Sequence, residues 1–157
     1  MSAPDVVNWR RLDDRITTSG QPSEAALAAI RDTGVEHVVN LALHTHEQAL
    51  PDEAASVAAL GMTYTHIPVA FDDPTEDDFA RFCDAMAAIG DAPVHVHCIL
   101  NARVTAFILR WRRDVIGDGD PARAMMDSVW RPGGVWATLV GDAARVDRAI
   151  EYAGRDY

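Results

Sequence analysis

Strand-like and helix-like stretches alternate along this chain of 157 residues, which predicts an α/β fold with a mostly parallel central sheet and helices on both faces. Three runs rich in β-branched residues, Val35–Leu43, Met62–Val69 and Val94–Val96, are typical of buried strands. A shorter strand is expected near Arg15–Thr17. Helical patterns separate the runs, so parallel strands joined by crossovers are the simplest arrangement. The length suits a single domain over residues 1–157.

The helices between these strands are indicated by their start and stop residues. Ser23 offers an N-cap, and the apolar stripe that follows it ends at Gly34. A proline followed by acids favours a helix over Pro51–Leu60, because these residues suit the first turn and the positive end of the helix dipole. Thr75, with an acid three residues later, forms a capping-box pattern ahead of a helix over Asp77–Ile89.

The C-terminal part of the chain is predicted to be helical. One helix covers about Arg103–Val115, and the glycines and proline of Gly117–Pro121 interrupt the pattern. Another helix covers Ala122–Trp130 and is followed by a turn at Arg131–Gly134. A last amphipathic helix is expected over Ala137–Tyr152.

The charge of the chain narrows the choice of partners and compartment. It has 14 basic and 24 acidic residues, a formal net charge of −10 and no lysine. Such an acidic chain is poorly suited to nucleic acid or to an anionic membrane, so we expect neither as a partner. Two cysteines, Cys83 and Cys98, are too few for a disulfide framework, and no apolar run is long enough to span a bilayer. A cytoplasmic location is therefore expected.

The stretch Pro93–Phe107 carries the clearest chemical pattern in the chain. A strand ends in His97-Cys98, a short loop follows, and Arg103 opens an apolar helical pattern. At such a junction, free backbone N–H groups and the helix dipole favour an anion and a cysteine thiolate. Arginine adds a planar fork that matches phosphate or sulfate oxygens. The alternative is a buried structural cysteine beside a surface arginine, and it requires all these features to coincide by chance.

This loop resembles the phosphate loop of the cysteine-dependent protein tyrosine and dual-specificity phosphatases. Cys98 and Arg103 are separated by four residues, where that superfamily usually has five, and Asn101 stands where a loop glycine is usual. The shorter loop is similar to that of a bacterial branch of phosphatase-like proteins whose early segment reads Ser-Gly-Gln-Pro. That segment is present here as Ser19–Pro22. The resemblance covers most of the chain and implies a dual-specificity-phosphatase-like fold.

The resemblance implies a phosphatase that works in two steps. Cys98 would attack a phosphate monoester held by Arg103 and loop N–H groups, and water would then cleave the cysteinyl phosphate. The loop residues expected to bind the phosphate are Ile99, Leu100, Asn101 and Ala102. The leaving group needs a proton, and Asp72 and Asp73, ahead of a loop proline, are the candidates for this acid. Acids beside a proline and a helix start equally suit a capping role.

Other residues would support the loop. His97 is expected to hold it and to help keep the thiolate, as the histidine of that family does. Asn101 either hydrogen-bonds across the shortened loop or is an exposed turn residue. Gly20 and Gln21 either line the substrate pocket or form a structural turn.

Two other functions stay open from the sequence. Four intervening residues is also the loop length typical of rhodanese-type sulfurtransferases, in which Cys98 would carry a persulfide. A contracted loop that misplaces Arg103 would leave a phosphate-binding module with weak catalysis. His44, His46 and Glu47 fit no standard zinc template, so we expect neither a metal nor a cofactor. The predicted substrate is a phosphorylated small molecule or a phosphoprotein.

Overall fold

A computed structural model describes residues 3–141 of the chain, and within that range a five-stranded sheet has the order β1-β2-β5-β3-β4. Its strands are β1 (Arg10–Arg11), β2 (Ile16–Ser19), β3 (His37–Asn40), β4 (Thr63–His66) and β5 (Val94–His97). The edge strand β1 pairs antiparallel with β2, and every other neighbouring pair is parallel. The predicted mostly parallel sheet is confirmed.

Six α-helices accompany the strands in the described range. They are α1 (Glu24–Asp32), α2 (Glu53–Ala59), α3 (Glu76–Ile89), α4 (Ala102–Trp111), α5 (Asp120–Asp127) and α6 (Gly134–Val140). Ser23 caps α1, and Thr75 forms the predicted capping box with Asp78 at the start of α3. A π-helical turn, Arg112–Ile116, continues α4.

The last predicted helix, Ala137–Tyr152, starts earlier than expected and ends within the described residues. Gly134 opens it, and it stops at Gly141, whose φ of 84° is left-handed backbone that favours glycine. Residues 142–152 of that prediction lie outside the described residues.

Helices cover both faces of the sheet. Side chains alternate between the two faces along each strand, so each face packs its own set of side chains against helices. Val94 and Val96 of β5 pack with Phe82 of α3 and Phe107 of α4 in the larger core. Val38 of β3 packs on the opposite face in a second cluster, whose helical members include Leu27 and Ile30 of α1 and Val57 of α2. The two-sided covering that the sequence predicts is confirmed.

The central strand β5 points its carboxyl end at the residues of interest. β2 and β3 flank it, and Cys98 follows it directly. Across that end of the sheet the register aligns Ser19, His97, Asn40 and His66. Ligands of open α/β sheets bind beyond the carboxyl ends of the strands, at the point where the strand order reverses. The fold therefore places Cys98 at the expected position for a site.

Candidate active site

The β5–α4 loop, residues 98–101, turns sharply into α4 at Asn101. That residue has a φ of 70°, a left-handed conformation that Asn tolerates better than most residues other than glycine. It occupies the N-cap position of α4 without a side-chain cap bond. Its side chain therefore does not occupy the backbone N–H groups of the first helical turn, which point toward the loop. Asn101 thus takes over the backbone role of the missing glycine.

The Asn101 side chain is buried and ties the loop to the N-terminal part of the chain. Its Nδ2 donates to the carbonyl of Asn8 at 2.8 Å and to Thr18 Oγ1 at 2.9 Å. Asn8 Nδ2 donates in return to the carbonyl of Leu100 at 2.9 Å. Of the two alternatives that the sequence left open, the exposed turn residue is excluded, because the side chain is fully buried. The hydrogen bonds leave the loop for neighbouring segments instead of crossing it.

Cys98 and Arg103 lie at the two ends of this loop, and both are 0% exposed. Arg103 Nη1 donates to the carbonyl of Val69 at 2.9 Å, and its guanidinium carbon lies 5.8 Å from the centroid of the Phe71 ring. Phe71 is held in place because Trp136 Nε1 donates to its carbonyl at 2.6 Å. Both side chains are therefore closed off from solvent in this conformation, and an anion reaches the Arg103 guanidinium only after Phe71 moves away from it.

The two candidate acids follow Phe71 in the same segment. Asp72 and Asp73 are both exposed, and the backbone N–H of Asp73 donates to the carbonyl of Ala70 at 3.2 Å, which closes a turn. The segment that carries the carboxylates therefore packs on Arg103 through the neighbouring aromatic ring. A movement of the backbone at Phe71 would also move Asp72.

Gly20 and Gln21 support the loop from its β2 side. The N–H of Gln21 donates to the carbonyl of Ile99 at 3.0 Å, and that carbonyl lies so close to Gly20 that a Cβ there would come within 2.2 Å of its oxygen. The N–H of Gly20 donates to the carbonyl of Val7 at 2.8 Å. These contacts fit a structural turn, one of the two roles that the sequence allows for Gly20 and Gln21. Glycine is needed here for close approach of two backbones.

Replacing Gly20 with alanine is expected to displace the loop. The overlap with backbone cannot be relieved by a side-chain rotation, so we expect a loss of roughly 2–3 kcal/mol in the free energy of unfolding, and a large loss of activity. Gly61→Ala is the matched control, since a Cβ at Gly61 meets nothing within 4 Å. That control should lose some stability through its positive φ but keep its activity. Urea denaturation and a phosphatase assay of both variants measure these effects, and equal activity would contradict the account.

His97 lies between the β5–α4 loop and a buried acid, Glu53, which the sequence did not indicate as a site residue. Its Nε2 lies 2.5 Å from Glu53 Oε2, and its Nδ1 lies 3.1 Å from the carbonyl oxygen of Cys98. Gln21 Nε2 donates to the other oxygen of Glu53 at 2.8 Å. Burial alone would raise the pKa of Glu53, but the hydrogen bonds and charge of His97 and the amide of Gln21 outweigh it and hold that pKa below its usual value. Glu53 is therefore a buried carboxylate.

His95, two residues earlier on β5, has a different set of partners. Its ring nitrogens face two hydroxyls at 2.8 Å, Thr17 Oγ1 on Nδ1 and Ser19 Oγ on Nε2. Ser19 donates its own proton to the carbonyl of Gly20, so it accepts from Nε2 and Thr17 donates to Nδ1. Complete burial and then the charge of His97 lower the pKa of His95 well below its usual value. His95 is therefore a neutral core histidine.

The histidines after β3 do not form a metal centre with the described residues. His44 is exposed and stacks on His66 with ring centroids 3.7 Å apart, and its Nε2 lies 3.0 Å from the hydroxyl of Tyr64. Within residues 3–141, no group of three or more His, Cys, Asp or Glu side chains is arranged to hold a metal ion. In the same range no helix is long and apolar enough to cross a membrane.

A family model described as "DSP-PTPase phosphatase fused to NAD+ Kinase" matches residues 4–131, which include the β5–α4 loop and Arg103. The chain belongs to this phosphatase family. It lies within the superfamily of cysteine-dependent phosphatases whose phosphate loop the sequence resembles. The match gives no support to the rhodanese-type alternative or to a module without chemistry.

Solved structures of phosphatases share this fold. A protein assigned to the DUF442 phosphatases, from Shewanella putrefaciens CN-32, superposes with a TM-score of 0.81 at 26% identity and covers 92% of this chain and 95% of its own. The TpbA protein of P. aeruginosa, solved in complex with pTyr, has a TM-score of 0.64 at 19% identity, with 99% of this chain and 88% of its own covered. The second likeness shows the fold alone.

A curated relative is the Beta-lactamase hydrolase-like protein of Agrobacterium fabrum strain C58. It is 31% identical over 103 residues, which cover 63% of this chain and 24% of the relative. The phosphatase-like chain therefore spans about a quarter of that protein's length.

Proposed function

We propose that this chain hydrolyses phosphate monoesters through a cysteinyl-phosphate intermediate on Cys98. The observation that carries the proposal is the β5–α4 loop, which sets Cys98 at the end of the central strand and Arg103 in the first turn of α4. The helix N-terminus supplies N–H groups, and the guanidinium supplies a permanent charge for the phosphate oxygens. Membership of the phosphatase family supports the same chemistry.

Two displacements at phosphorus complete the reaction. The Cys98 thiolate forms a bond to phosphorus while the bond to the leaving oxygen breaks, and an aspartic acid gives its proton to that oxygen. Water then attacks phosphorus, the aspartate takes a proton from the water, and the sulfur leaves as thiolate. Arg103 and the N–H groups of residues 99–103 hold the equatorial oxygens in both steps. No cofactor is required for this sequence of bonds.

Substrate binding requires the buried Cys98 and Arg103 to become accessible. Phe71 covers the Arg103 guanidinium, so we propose that the segment 70–74 moves outward to admit the phosphate and returns with a carboxylate over it. Closure over bound substrate would exclude water from the first displacement. The return movement would also bring the acid into reach only when a substrate is present.

The substrate is proposed to be a phosphorylated small molecule or a phosphoprotein, with neither nucleic acid nor a membrane as partner. The net charge of −10 disfavours polyanions, whereas a single phosphate meets the locally positive loop. The thiol has to stay reduced to act as a nucleophile, and neither Cys83 nor Cys98 is in a disulfide. We therefore propose a reducing, cytoplasmic setting.

Asp72 is proposed as the acid, and Asp73 provides its matched control. Asp72→Asn should lower kcat for an alkyl phosphate by about 10²–10³-fold, because a poor leaving group needs the proton most. It should also remove the fall of kcat at alkaline pH, where the acid has lost its proton. Asp73→Asn should change neither. If Asp73→Asn has the larger effect, the assignment is reversed, and if neither slows turnover, no acid lies in this segment.

Hydrolysis of para-nitrophenyl phosphate by the full chain is the direct assay of the proposed function. Release of phosphate that inorganic phosphate inhibits competitively is the expected result. Thiocyanate formation from thiosulfate and cyanide, without any phosphate release, would overturn the proposal in favour of sulfur transfer.

A further inference from the structure

We propose that Glu53 is a positioning residue for the phosphatase reaction, whose carboxylate holds His97 as an imidazolium against the peptide group of Cys98. The inference rests on the proposed function and adds a residue on α2 to it. Glu53 lies 44 residues from His97 in the chain, yet the two side chains meet at 2.5 Å with 1% and 0% of their surface exposed.

The protonation of His97 follows from its two partners. A carboxylate oxygen and a carbonyl oxygen accept hydrogen bonds, and a neutral imidazole has only one N–H. Both ring nitrogens of His97 face such acceptors, Glu53 on one side and the Cys98 carbonyl on the other. Both nitrogens therefore carry protons, and the ring bears a positive charge.

His95 shows that the strand itself does not dictate this state. It is equally buried on the same face of β5, and its partners are hydroxyls, which can donate or accept. It stays neutral, and the charge of His97 contributes to that. The carboxylate of Glu53 is thus what distinguishes the two histidines.

The positive charge on His97 affects the Cys98 thiol because the ring lies nearer to it than the Glu53 carboxylate does. The imidazolium donates a hydrogen bond to the carbonyl of Cys98 itself, whereas Glu53 lies on the far side of the ring. The pair is neutral overall but presents its positive member to Cys98, which favours the thiolate. Burial of both partners limits solvent screening of this dipole.

Other titratable groups surround the pair and enter its pH dependence. His44 follows β3, and Tyr64 and His66 lie on β4. The charges of His44 and His97 act on Glu53, and that of Glu53 acts on Tyr64 and His66. Asp52, next to Glu53, also acts on Tyr64, whose hydroxyl is protonated because its pKa is raised above the usual value, mainly by burial. His44 and His66 are therefore the histidines that face the pair from the neighbouring segments.

Glu53 also joins the two segments that hold the β5–α4 loop. Its second oxygen accepts from the Gln21 side chain, and the Gln21 backbone N–H donates to Ile99. One carboxylate therefore fixes both the imidazolium and the Gly20-Gln21 turn behind the loop. Glutamine at position 53 retains the shape and one acceptor but removes the charge.

The test measures the pH at which Cys98 becomes reactive, in the full chain carrying Cys83→Ser. Alkylation of Cys98 by iodoacetamide is followed from pH 4 to 10, and kcat/KM for para-nitrophenyl phosphate is measured over the same range. Glu53→Gln is expected to move the midpoint of alkylation and the acid limb of kcat/KM upward by about one pH unit, with recovery of rate at alkaline pH. Glu76→Gln, which removes an exposed carboxylate paired with Arg110, should leave both midpoints unchanged.

The outcomes separate this inference from the proposed function. Unshifted midpoints in a folded Glu53→Gln chain that still hydrolyses the phosphate ester would overturn the role of Glu53 and keep the phosphatase. A shifted alkylation midpoint without any hydrolysis by the unsubstituted chain would keep the Glu53–His97 pair and overturn the phosphatase.

The protonation of His97 can also be measured on the unsubstituted chain, so that the test does not depend on a variant that folds. Nitrogen-15 NMR of the histidine rings at pH 7 should show two protonated nitrogens for His97 and a single Nε2–H for His95. A neutral ring at His97 under these conditions would overturn the inference without reference to any variant.

Discussion

Replacing Cys98 with serine is expected to lower kcat/KM for para-nitrophenyl phosphate by at least about 10⁴-fold. A serine hydroxyl at that position has no base to activate it, whereas we propose that the helix N-terminus and the His97 imidazolium hold Cys98 as a thiolate. Binding of inorganic phosphate should survive, because Arg103 and the loop N–H groups are unchanged. Thermal unfolding with and without phosphate measures that binding.

Cys83→Ser is the matched control for this prediction. Cys83 lies half-buried on α3, where it packs at the margin of the core, and burial raises the pKa of its thiol. The control should keep the activity of the unsubstituted chain. A Cys98→Ser chain that retains hydrolysis would show that another nucleophile does the chemistry.

Replacing Arg103 with lysine is expected to lower kcat/KM by about 10²–10³-fold and to remove the rise in Tm that phosphate causes. Lysine keeps the charge but cannot present two parallel N–H groups to phosphate oxygens. The fully buried side chain also donates to Val69, so Tm without phosphate should fall as well. The diagnostic quantity is therefore the difference in Tm with and without phosphate, measured on the same variant.

Arg110→Lys is the control on the same helix. Arg110 lies at the opposite end of α4 from the β5–α4 loop, where it forms an ion pair with Glu76. Its variant should keep both the activity and the response to phosphate. Equal losses in the two variants would contradict a specific role for Arg103.

The sequence predicted the fold because the signals for it are local. The β-branched run at Val94–Val96 marks the strand before Cys98, and the capping box at Thr75 precedes α3; both features depend only on neighbouring residues. Parallel pairing followed from the helices between strands. The carboxyl end of β5 could therefore be predicted as the candidate site from the sequence alone.

The supporting contacts of the site are long-range, which is why the sequence did not reveal them. Asn8 meets Leu100 across 92 residues, and Glu53 meets His97 across 44. An acid in the first turn of α2 suits the helix dipole without any further role, so nothing local marked Glu53 as a site residue. The order β2-β5-β3 is what brings these segments together.

Asn101 stands where a glycine is usual in such loops, and the backbone conformation explains this substitution. Its place in the shortened loop departs from the usual glycine, and the left-handed φ explains why Asn is accepted there. Its amide then fastens the loop to Thr18 and to the backbone at Asn8. A loop one residue shorter than usual is in this way tied down at its turn.

The most direct measurement is a crystal structure of the chain soaked in inorganic phosphate. We expect one phosphate in the β5–α4 loop, with oxygens on the Arg103 guanidinium and on the N–H groups that follow Cys98, and phosphorus in line with Sγ. Phe71 should have moved off the guanidinium. A structure at saturating phosphate in which Arg103 still binds Val69, and the anion lies elsewhere, would contradict the account.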